Sequence, residues 1–314
     1  MMNLRRNHFL SGISTLKICQ MMRRSLLTLS QYLIKKKFWQ KDSDTGDYSQ
    51  TIGESMALIV NADDFGKSPE VNKAIAECFN KGYINRTTVM VNMPYAEEAF
   101  DIAKKNGFID KVGLHINLTE GRPLSDSIKL NSDFCNMEGV FTAAFYRSTK
   151  KRLHMDKESV SDITEEVKAQ IDKYLSLGFT LKHIDSHHHV HTNYPVYKSL
   201  KILSRYYNFS SIRLSRNLYR GGSLFNRTYK SFINKKFRQI CNHTTDYFGS
   251  FKDVVDYFAT ESDEQIVDST TNIVNDFCVK HDLEVMVHPM YSKEGVLVDS
   301  DIPFEREILL YEVR

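Results

Sequence analysis

Short apolar runs alternate with stretches of helical periodicity along most of the chain after residue 56. The first run, ALIV at 57–60, is apolar at every position, as expected for a parallel strand that is covered on both faces. The other predicted strands are TVMVN (88–92), VGLHINL (112–118), LKHID (181–185), SIRLS (211–215) and LEVMVH (283–288). Strands that alternate with helices over about 250 residues favour an α/β fold, a distorted (β/α) barrel that is TIM-barrel-like. An open doubly wound sheet is the alternative, because periodicity does not reveal whether a sheet closes.

The predicted helices carry recognisable start and stop signals. A small polar residue caps the first turn, proline suits the first helical position, and glycine follows the last turn. The signals are Ser68, Pro69 and Gly82 for the first helix, apolar spacing over residues 163–175 with Gly178 beyond for another, and Ser262 with Gln265 as a capping box for a later one.

The first 40 residues contain no aspartate or glutamate, and arginines and lysines separate their short apolar stretches. This composition is typical of a transit peptide. The alternatives are an unstructured extension or an over-long gene model, since Met56 lies directly before the first predicted strand and could itself be the start. We therefore predict a disordered basic extension and linker over residues 1–55, a single catalytic domain over 56–314, and an intracellular location that is cytoplasmic or mitochondrial.

The overall composition points to a small-molecule partner. The chain has 42 basic and 39 acidic residues, which give a net charge of +3. This balance is too even to produce the strong positive potential that binds nucleic acid. The five cysteines form no CxxC pair, which argues against a thiolate zinc site. The sequence contains no run of about 18 apolar residues, so it predicts no membrane-spanning helix. The oligomeric state stays open, a homodimer included.

Two adjacent carboxylates follow the first predicted strand. ALIV continues into Asn61, Asp63 and Asp64 before a glycine turn at Gly66. Parallel α/β folds assemble their active sites where strands end. Adjacent side chains diverge in an extended segment, so one aspartate can ligate a metal while the other handles protons. Alternatively, either aspartate is a turn or capping residue close to Ser68.

Histidines mark two further strands. His115 shares a strand face with Asn117, although a lone strand histidine is more often a satisfied core residue. The segment HIDSHHHVH at 183–191 holds five histidines in nine residues. One of them can meet His115 and an aspartate across a barrel mouth, and the pattern does not choose which. If strand alternation persists, one face carries His183, Asp185, His187, His189 and His191.

Two histidines and an aspartate suit Zn²⁺ or another first-row divalent ion and leave coordination positions open for water and substrate. With a neighbouring carboxylate as proton acceptor, that set hydrolyses amides and esters. His288, in MVHP at the end of the last predicted strand, could protonate a leaving nitrogen or be a plain strand-end residue. Arg213 could orient a buried carboxylate, touch substrate or form an ordinary salt bridge.

Four ordered motifs, LIVNADDFG, GLHINLTEGRPL, HIDSHHHVH and MVHP, resemble the YdjC-like family, which includes chitooligosaccharide deacetylase. The resemblance covers residue 56 to the C-terminus and implies a distorted (β/α) barrel that holds Mg²⁺ or Zn²⁺ and deacetylates N-acetylated sugars such as diacetylchitobiose. Family members continue past a segment like PFEREILLYEV, which leaves the closure of this barrel open.

The resemblance also implies roles for individual residues. Asp64, His115 and His187 are implied to be metal ligands, Asp63 the proton acceptor, and His288 a general acid. We therefore expect a metal-dependent hydrolase that removes N-acetyl groups from small amino-sugar oligosaccharides. Two alternatives remain: a metal-dependent phosphoesterase, for which the sequence offers no phosphate cradle, and an inactive metal- or sugar-binding protein.

Overall fold

A computed structural model describes residues 58–218, 221–258, 274 and 276–301. Its strands are β1 (Leu58–Phe65), β2 (Arg86–Val89), β3 (Val112–Ile116), β4 (His183–Ser186), β5 (Ser211–Ile212), β6 (Tyr247–Ser250), β7 (Leu283–Val287), β8 (Pro289–Tyr291) and β9 (Leu297–Asp299). Seven of them form a parallel sheet in the order β5-β4-β3-β2-β1-β7-β6. The antiparallel pair β8 and β9 stands apart from this sheet.

Helices connect these strands, and most lie between one parallel strand and the next. They are α1 (Pro69–Asn80), α2 (Ala96–Lys105), α3 (Asp126–Lys129), α4 (Ala144–Arg147), α5 (Thr149–Leu153), α6 (Lys157–Leu177), α7 (Tyr194–Tyr207), α8 (Leu224–Phe237) and α9 (Phe251–Phe258). Two short 3₁₀ segments, Ile109–Lys111 and His187–Thr192, complete the described part of the chain.

The sheet curls into an incomplete barrel. β1 pairs with β2 on one side and with β7, the last parallel strand, on the other, as the first strand of a barrel does. The two edges, β5 and β6, are linked through Asn217, which donates its N–H to Phe248 O (3.0 Å) and accepts from Phe248 N (2.7 Å) through its side chain. The prediction of a distorted, TIM-barrel-like α/β fold is confirmed, and the doubly wound alternative is not.

The local signals explain where the two best-predicted helices begin and end. Ser68 caps α1 by accepting the N–H of Val71, and Pro69 occupies its first turn. Helix α6 starts earlier than its apolar spacing indicated, because Asp156 accepts the N–H of Ser159. It stops at Gly178, whose φ of 101° suits a residue without a Cβ. The burial of every residue of β1, β3 and β7 agrees with strands covered on both faces.

Strand boundaries were predicted less well. β2 begins two residues before the predicted 88–92 and ends three residues earlier, and β5 keeps only two residues of 211–215. The short strand β6 was missed, because four residues with a glycine among them give no clear alternation. Three sequence features, residues 1–55, the Ser262 and Gln265 capping box, and segment 303–313, lie outside the described residues. No helix in the described ranges is long and apolar enough to cross a membrane.

Candidate active site

The end of β1 separates the two adjacent aspartates. The pairing of β1 with β2 is irregular between Ala62 and Phe65, and Asp64 adopts a left-handed φ of 69°. This local twist sends Asp63 and Asp64 to different partners, as the sequence predicted. Gly66 completes the turn with a φ of 89°, where a Cβ would lie 3.1 Å from the Cα of Ala96. Neither aspartate caps α1, since Ser68 does so.

The register of two neighbouring strands places His115 beside a carboxylate. His115 of β3 is paired with Asp185 of β4, and its Nδ1 lies 2.7 Å from Asp185 Oδ1. Thr88 of β2 donates to the other Asp185 oxygen at 2.9 Å. His115 is fully buried, and its Nε2 has no hydrogen-bond partner among the described residues. Asp185 therefore fixes Nδ1, and Nε2, which lies beside Asp64, remains available as a ligand atom.

The alternation expected to run through His191 is wrong beyond Ser186, because β4 ends there and a 3₁₀ segment follows. This segment turns His187 toward Asp64, with 2.8 Å between His187 Nδ1 and Asp64 Oδ1. His189 instead packs edge-on against Phe248. Two other histidines of the motif bond neighbouring groups: His183 bonds Ser211, and His191 bonds Ser186 and the carbonyl of Arg213.

Asp64, His115 and His187 converge on one point. One ligand atom from each lies within 4.8 Å of the other two, and Asp64 Oδ1 is 3.2 Å from His115 Nε2. All three side chains are buried or nearly so. Two imidazoles and a carboxylate are a donor set that divalent first-row ions prefer. Together with the unpartnered Nε2 of His115, this arrangement fits a divalent cation.

The charge around these groups supports the same fit. Burial alone would lower the pKa of His115, but Asp185 and the neighbouring aspartates raise it to about 10. Burial alone would lower the pKa of His187, but Asp64 and Glu120 raise it above its usual value. The pKa of Asp64 is held well below its usual value by the two histidines, against the effect of burial. The site is therefore built to hold positive charge, and a cation would replace the histidine protons.

A buried ionic cluster, here called the floor, lies beneath this point and consists of Arg213, Asp63, Asp185 and Glu284. Arg213 donates to both oxygens of Asp63, at 2.6 and 2.8 Å. It also lies 2.8 Å from an Asp185 oxygen and 2.6 Å from Glu284. The four side chains are between 0% and 2% exposed. Of the three roles considered for Arg213, the structure supports the orientation of buried carboxylates.

Arg213 determines the state of Asp63. Burial would raise the pKa of this carboxyl, but the guanidinium holds it well below its usual range, so Asp63 is ionised at neutral pH. Asn61 donates a further hydrogen bond of 2.7 Å to Oδ1. Among the residues that the structure describes, Oδ2 accepts a hydrogen bond only from Arg213, which leaves it a lone pair for another proton donor.

His288 faces this same oxygen from the end of β7. Its Nε2 lies 4.0 Å from Asp63 Oδ2, and its Nδ1 lies 3.1 Å from Asp301 Oδ2. Burial alone would lower the pKa of His288, but Asp301 and the aspartates of the site raise it to about 9. Asp299 accepts the backbone N–H groups of both His288 and Asp301, which fixes the loop that carries the pair. His288 is therefore a protonated imidazolium at neutral pH.

The opposite side of the point is accessible to solvent, and we call Lys67, Glu120 and His188 its mouth. Lys67 bridges Asp64 and Glu120 at 3.2 and 3.1 Å, and Glu120 Oε1 is 3.2 Å from His187 Nε2. The side chains of Lys67 and Glu120 are 31% and 36% exposed. The charged side chains at the mouth can therefore exchange their ion-pair partners for other groups.

Sequence reasoning missed several of these residues. Asp185 was placed on the correct strand face without a partner, and Glu284 was not considered. A glutamate inside the apolar run LEVMV is a signal that could have been read, because a lone acid on a fully buried strand requires a partner. Asp301 carried no such signal, since its contact with His288 depends on the β8 and β9 hairpin.

Comparison with known proteins agrees with the motifs. A sequence profile described as YdjC-like protein matches residues 57–310. A carbohydrate deacetylase of Clostridium beijerinckii is 32% identical over 251 residues, which cover 80% of this chain and 88% of that protein. The chain belongs to the YdjC-like family.

Other YdjC-like relatives match a shorter part of the chain. A carbohydrate deacetylase of Vibrio cholerae is 41% identical over 138 residues, covering 44% of this chain and 51% of that protein. A crystal structure from Enterococcus faecalis, described as a candidate cellobiose-phosphate cleavage protein, superimposes with a TM-score of 0.55 at 24% identity. It covers 81% of this chain and 90% of that one, and it shows the fold alone.

Proposed function

We propose that residues 56–314 form a metal-dependent carbohydrate deacetylase, which removes the N-acetyl group from a small amino-sugar oligosaccharide such as diacetylchitobiose and releases acetate. The observation that carries the proposal is the convergence of Asp64, His115 and His187 beside a separate, ionised Asp63. YdjC-like relatives named carbohydrate deacetylases support the choice of substrate class.

Asp64, His115 and His187 would hold the divalent ion, Mg²⁺ or Zn²⁺. When bound, it supplies a Lewis acid that polarises the amide carbonyl and lowers the pKa of an attacking water. Asp185 fixes His115 through Nδ1, and Glu120 lies against the outer nitrogen of His187. Such outer carboxylates hold the imidazole rings in the orientation that a ligand requires.

Asp63 would accept the proton of the attacking water through Oδ2. Its low pKa makes it a weak base, so it serves where the water it deprotonates is already acidic. Arg213 and Asn61 hold the carboxylate in one orientation, which keeps the accepting lone pair aimed at the reaction site.

His288 would donate a proton to the departing amine. The C–N bond of the acetamide breaks, water supplies the hydroxyl group of acetate, and the amine nitrogen takes a proton as it leaves. An imidazolium with a pKa of about 9 carries that proton at neutral pH. Its 4.0 Å separation from Asp63 Oδ2 places acid and base on the same side of the site.

The test is acetate release from diacetylchitobiose by the full chain supplied with Mg²⁺ or Zn²⁺. Asp63→Asn should retain the cation and lose about 10²- to 10⁴-fold in kcat, because only proton transfer is removed. His115→Ala should lose the cation as well as activity. Cation content, measured by elemental analysis after dialysis, separates the two effects.

Full activity in both variants would refute the proposed roles. Hydrolysis of a phosphodiester in place of the acetamide would instead support the phosphoesterase alternative. Sugar binding without acetate release from the wild-type chain would indicate an inactive binding protein.

A further inference from the structure

His188 lies at the mouth of the site beside two aromatic rings. Tyr146 stacks on one face, with ring centroids 4.9 Å apart and planes 3° from parallel. His187 covers the ring as well, with centroids 4.0 Å apart and a tilt of 39°. The residue is nevertheless exposed to solvent. The ring is therefore held by its neighbours at a position that solvent can reach.

The backbone holds this ring in an unusual conformation. His188 and His189 have φ values of 51° and 54°, in the left-handed region that residues with a Cβ rarely adopt. The segment is fastened by a hydrogen bond from His191 N to Ser186 Oγ and by one from Thr192 Oγ1 to the carbonyl of His189. Backbone strain that neighbours maintain in this way is common at ligand-binding positions.

One ring nitrogen of His188 is occupied, and within the described ranges the other makes no hydrogen bond. Nδ1 of His188 lies 2.9 Å from Thr119 Oγ1, which fixes the rotation of the ring. A neutral imidazole offers one donor and one acceptor, and Nε2 takes whichever role Thr119 leaves to it.

The position of the ring connects it to the reaction site. Ligand atoms of His188, His187 and Glu120 lie within 4.8 Å of one another, so the imidazole stands next to a proposed cation ligand. A second cation is disfavoured there, because Glu120 already contacts Lys67 and His187 and Thr119 engages Nδ1. A sugar hydroxyl both donates and accepts, so it can pair with Nε2 in either tautomer.

We propose that His188 is a sugar-binding residue, whose Nε2 hydrogen-bonds a hydroxyl of the N-acetylated sugar and fixes its orientation beside the cation. The proposal rests on the deacetylase function proposed above. Tyr146 stacks on the ring and so helps to set the direction of that hydrogen bond.

His188→Phe tests the role of the nitrogen, because phenylalanine keeps a flat ring for stacking and removes the polar edge. We expect KM for diacetylchitobiose to rise about tenfold, as loss of one hydrogen bond predicts, with kcat falling less than about threefold. His188→Ala, which also removes the stacking on His187, should show the same rise in KM and a weaker affinity for the cation. His154→Phe, at an exposed histidine outside the site, is the matched control.

Binding is measured separately from turnover, so that a failure of the deacetylase function can be recognised. Calorimetric titration of diacetylchitobiose into Asp63→Asn and into Asp63→Asn with His188→Phe should show about tenfold weaker binding in the double variant. This result stands even if the wild-type chain releases no acetate.

Three outcomes would overturn the proposal. The first is an unchanged dissociation constant for the sugar in the double variant. The second is a loss of cation affinity in His188→Phe equal to that in His188→Ala, which would make the residue a structural support for His187. The third is a stoichiometry of two cations per chain that falls to one in His188→Phe.

Discussion

The floor and the mouth of the site hold similar charges in different surroundings. The floor joins Arg213 to three carboxylates, and none of the four side chains is more than 2% exposed. At the mouth, Lys67 bridges two carboxylates, and it and Glu120 are about a third exposed. The same kind of ion pair therefore lies on both sides of one proposed cation site.

This difference has an energetic meaning. A buried charge that loses its partner cannot be solvated, whereas an exposed one exchanges its partner for water. The floor should therefore tolerate almost no substitution, and the mouth should adjust when a cation or substrate arrives. The rigid side carries Asp63, the proposed proton acceptor, and the adaptable side carries His188, the proposed sugar-binding residue.

Removal of Arg213 should produce the largest effect on stability. Arg213→Met leaves three buried carboxylates without their shared guanidinium, and we expect a loss of about 3–5 kcal/mol in the free energy of unfolding. Lys67→Met, the matched change at the mouth, should cost no more than about 1 kcal/mol. Urea denaturation in the presence of a chelator measures both without a contribution from bound cation. Equal losses in the two variants would show that burial does not distinguish the two regions.

Substitution of Asp185, the carboxylate that fixes His115, should give the next largest effect. Asp185→Asn keeps the size of the side chain but removes the charge that fixes His115 Nδ1, so cation affinity should fall about 10- to 100-fold. Calorimetric titration with Zn²⁺ or Mn²⁺ measures this loss. Asp172→Asn, which alters an exposed pair with Lys168 on α6, is the control. An unchanged affinity in Asp185→Asn would mean that packing alone orients His115.

The residues of the site differ in how far the sequence could predict them. Asp63, Asp64 and His115 lie near the C-terminal ends of buried strands, where the topology of the fold predicts site residues. His187 could not be chosen over His189 from alternation, because β4 ends at Ser186 and left-handed residues follow. That choice came from the family resemblance, and the structure places His187 beside Asp64.

The remaining residues depend on long-range contacts that a periodic pattern does not encode. Arg213 meets Asp63 across 150 positions of sequence, and the pairing requires β5 and β1 to face one another across the barrel. Asp301 reaches His288 only because the β8 and β9 hairpin turns the chain back. The α/β class was predictable from the alternation of elements, whereas the lengths of β2 and β5 depend on tertiary packing.

The pH dependence of deacetylation tests His288, the proposed acid on the rigid side. We expect an effect of intermediate size. His288 should donate its proton below its pKa of about 9, so deacetylation should persist at neutral pH and decline as the pH rises through that value. Asp301→Asn removes a charge that raises this pKa, and the decline should then begin about one pH unit lower or more. His288→Gln should abolish the decline and retain a low rate. Profiles of kcat against pH for the three proteins make the comparison, and an unshifted profile in Asp301→Asn would separate Asp301 from the acid.

Substitution of Glu120, the carboxylate beside His187 at the mouth, should give the smallest effect. Glu120 contacts His187 as Asp185 contacts His115, but it is 36% exposed and shared with Lys67. Water can replace much of what Glu120→Gln removes, so cation affinity should fall only about two- to fivefold. The same titration used for Asp185→Asn measures it. A fall as large as that of Asp185→Asn would mean that His187 depends on its carboxylate as strongly as His115 does, and the mouth would then have to be regarded as part of the rigid cation-binding structure.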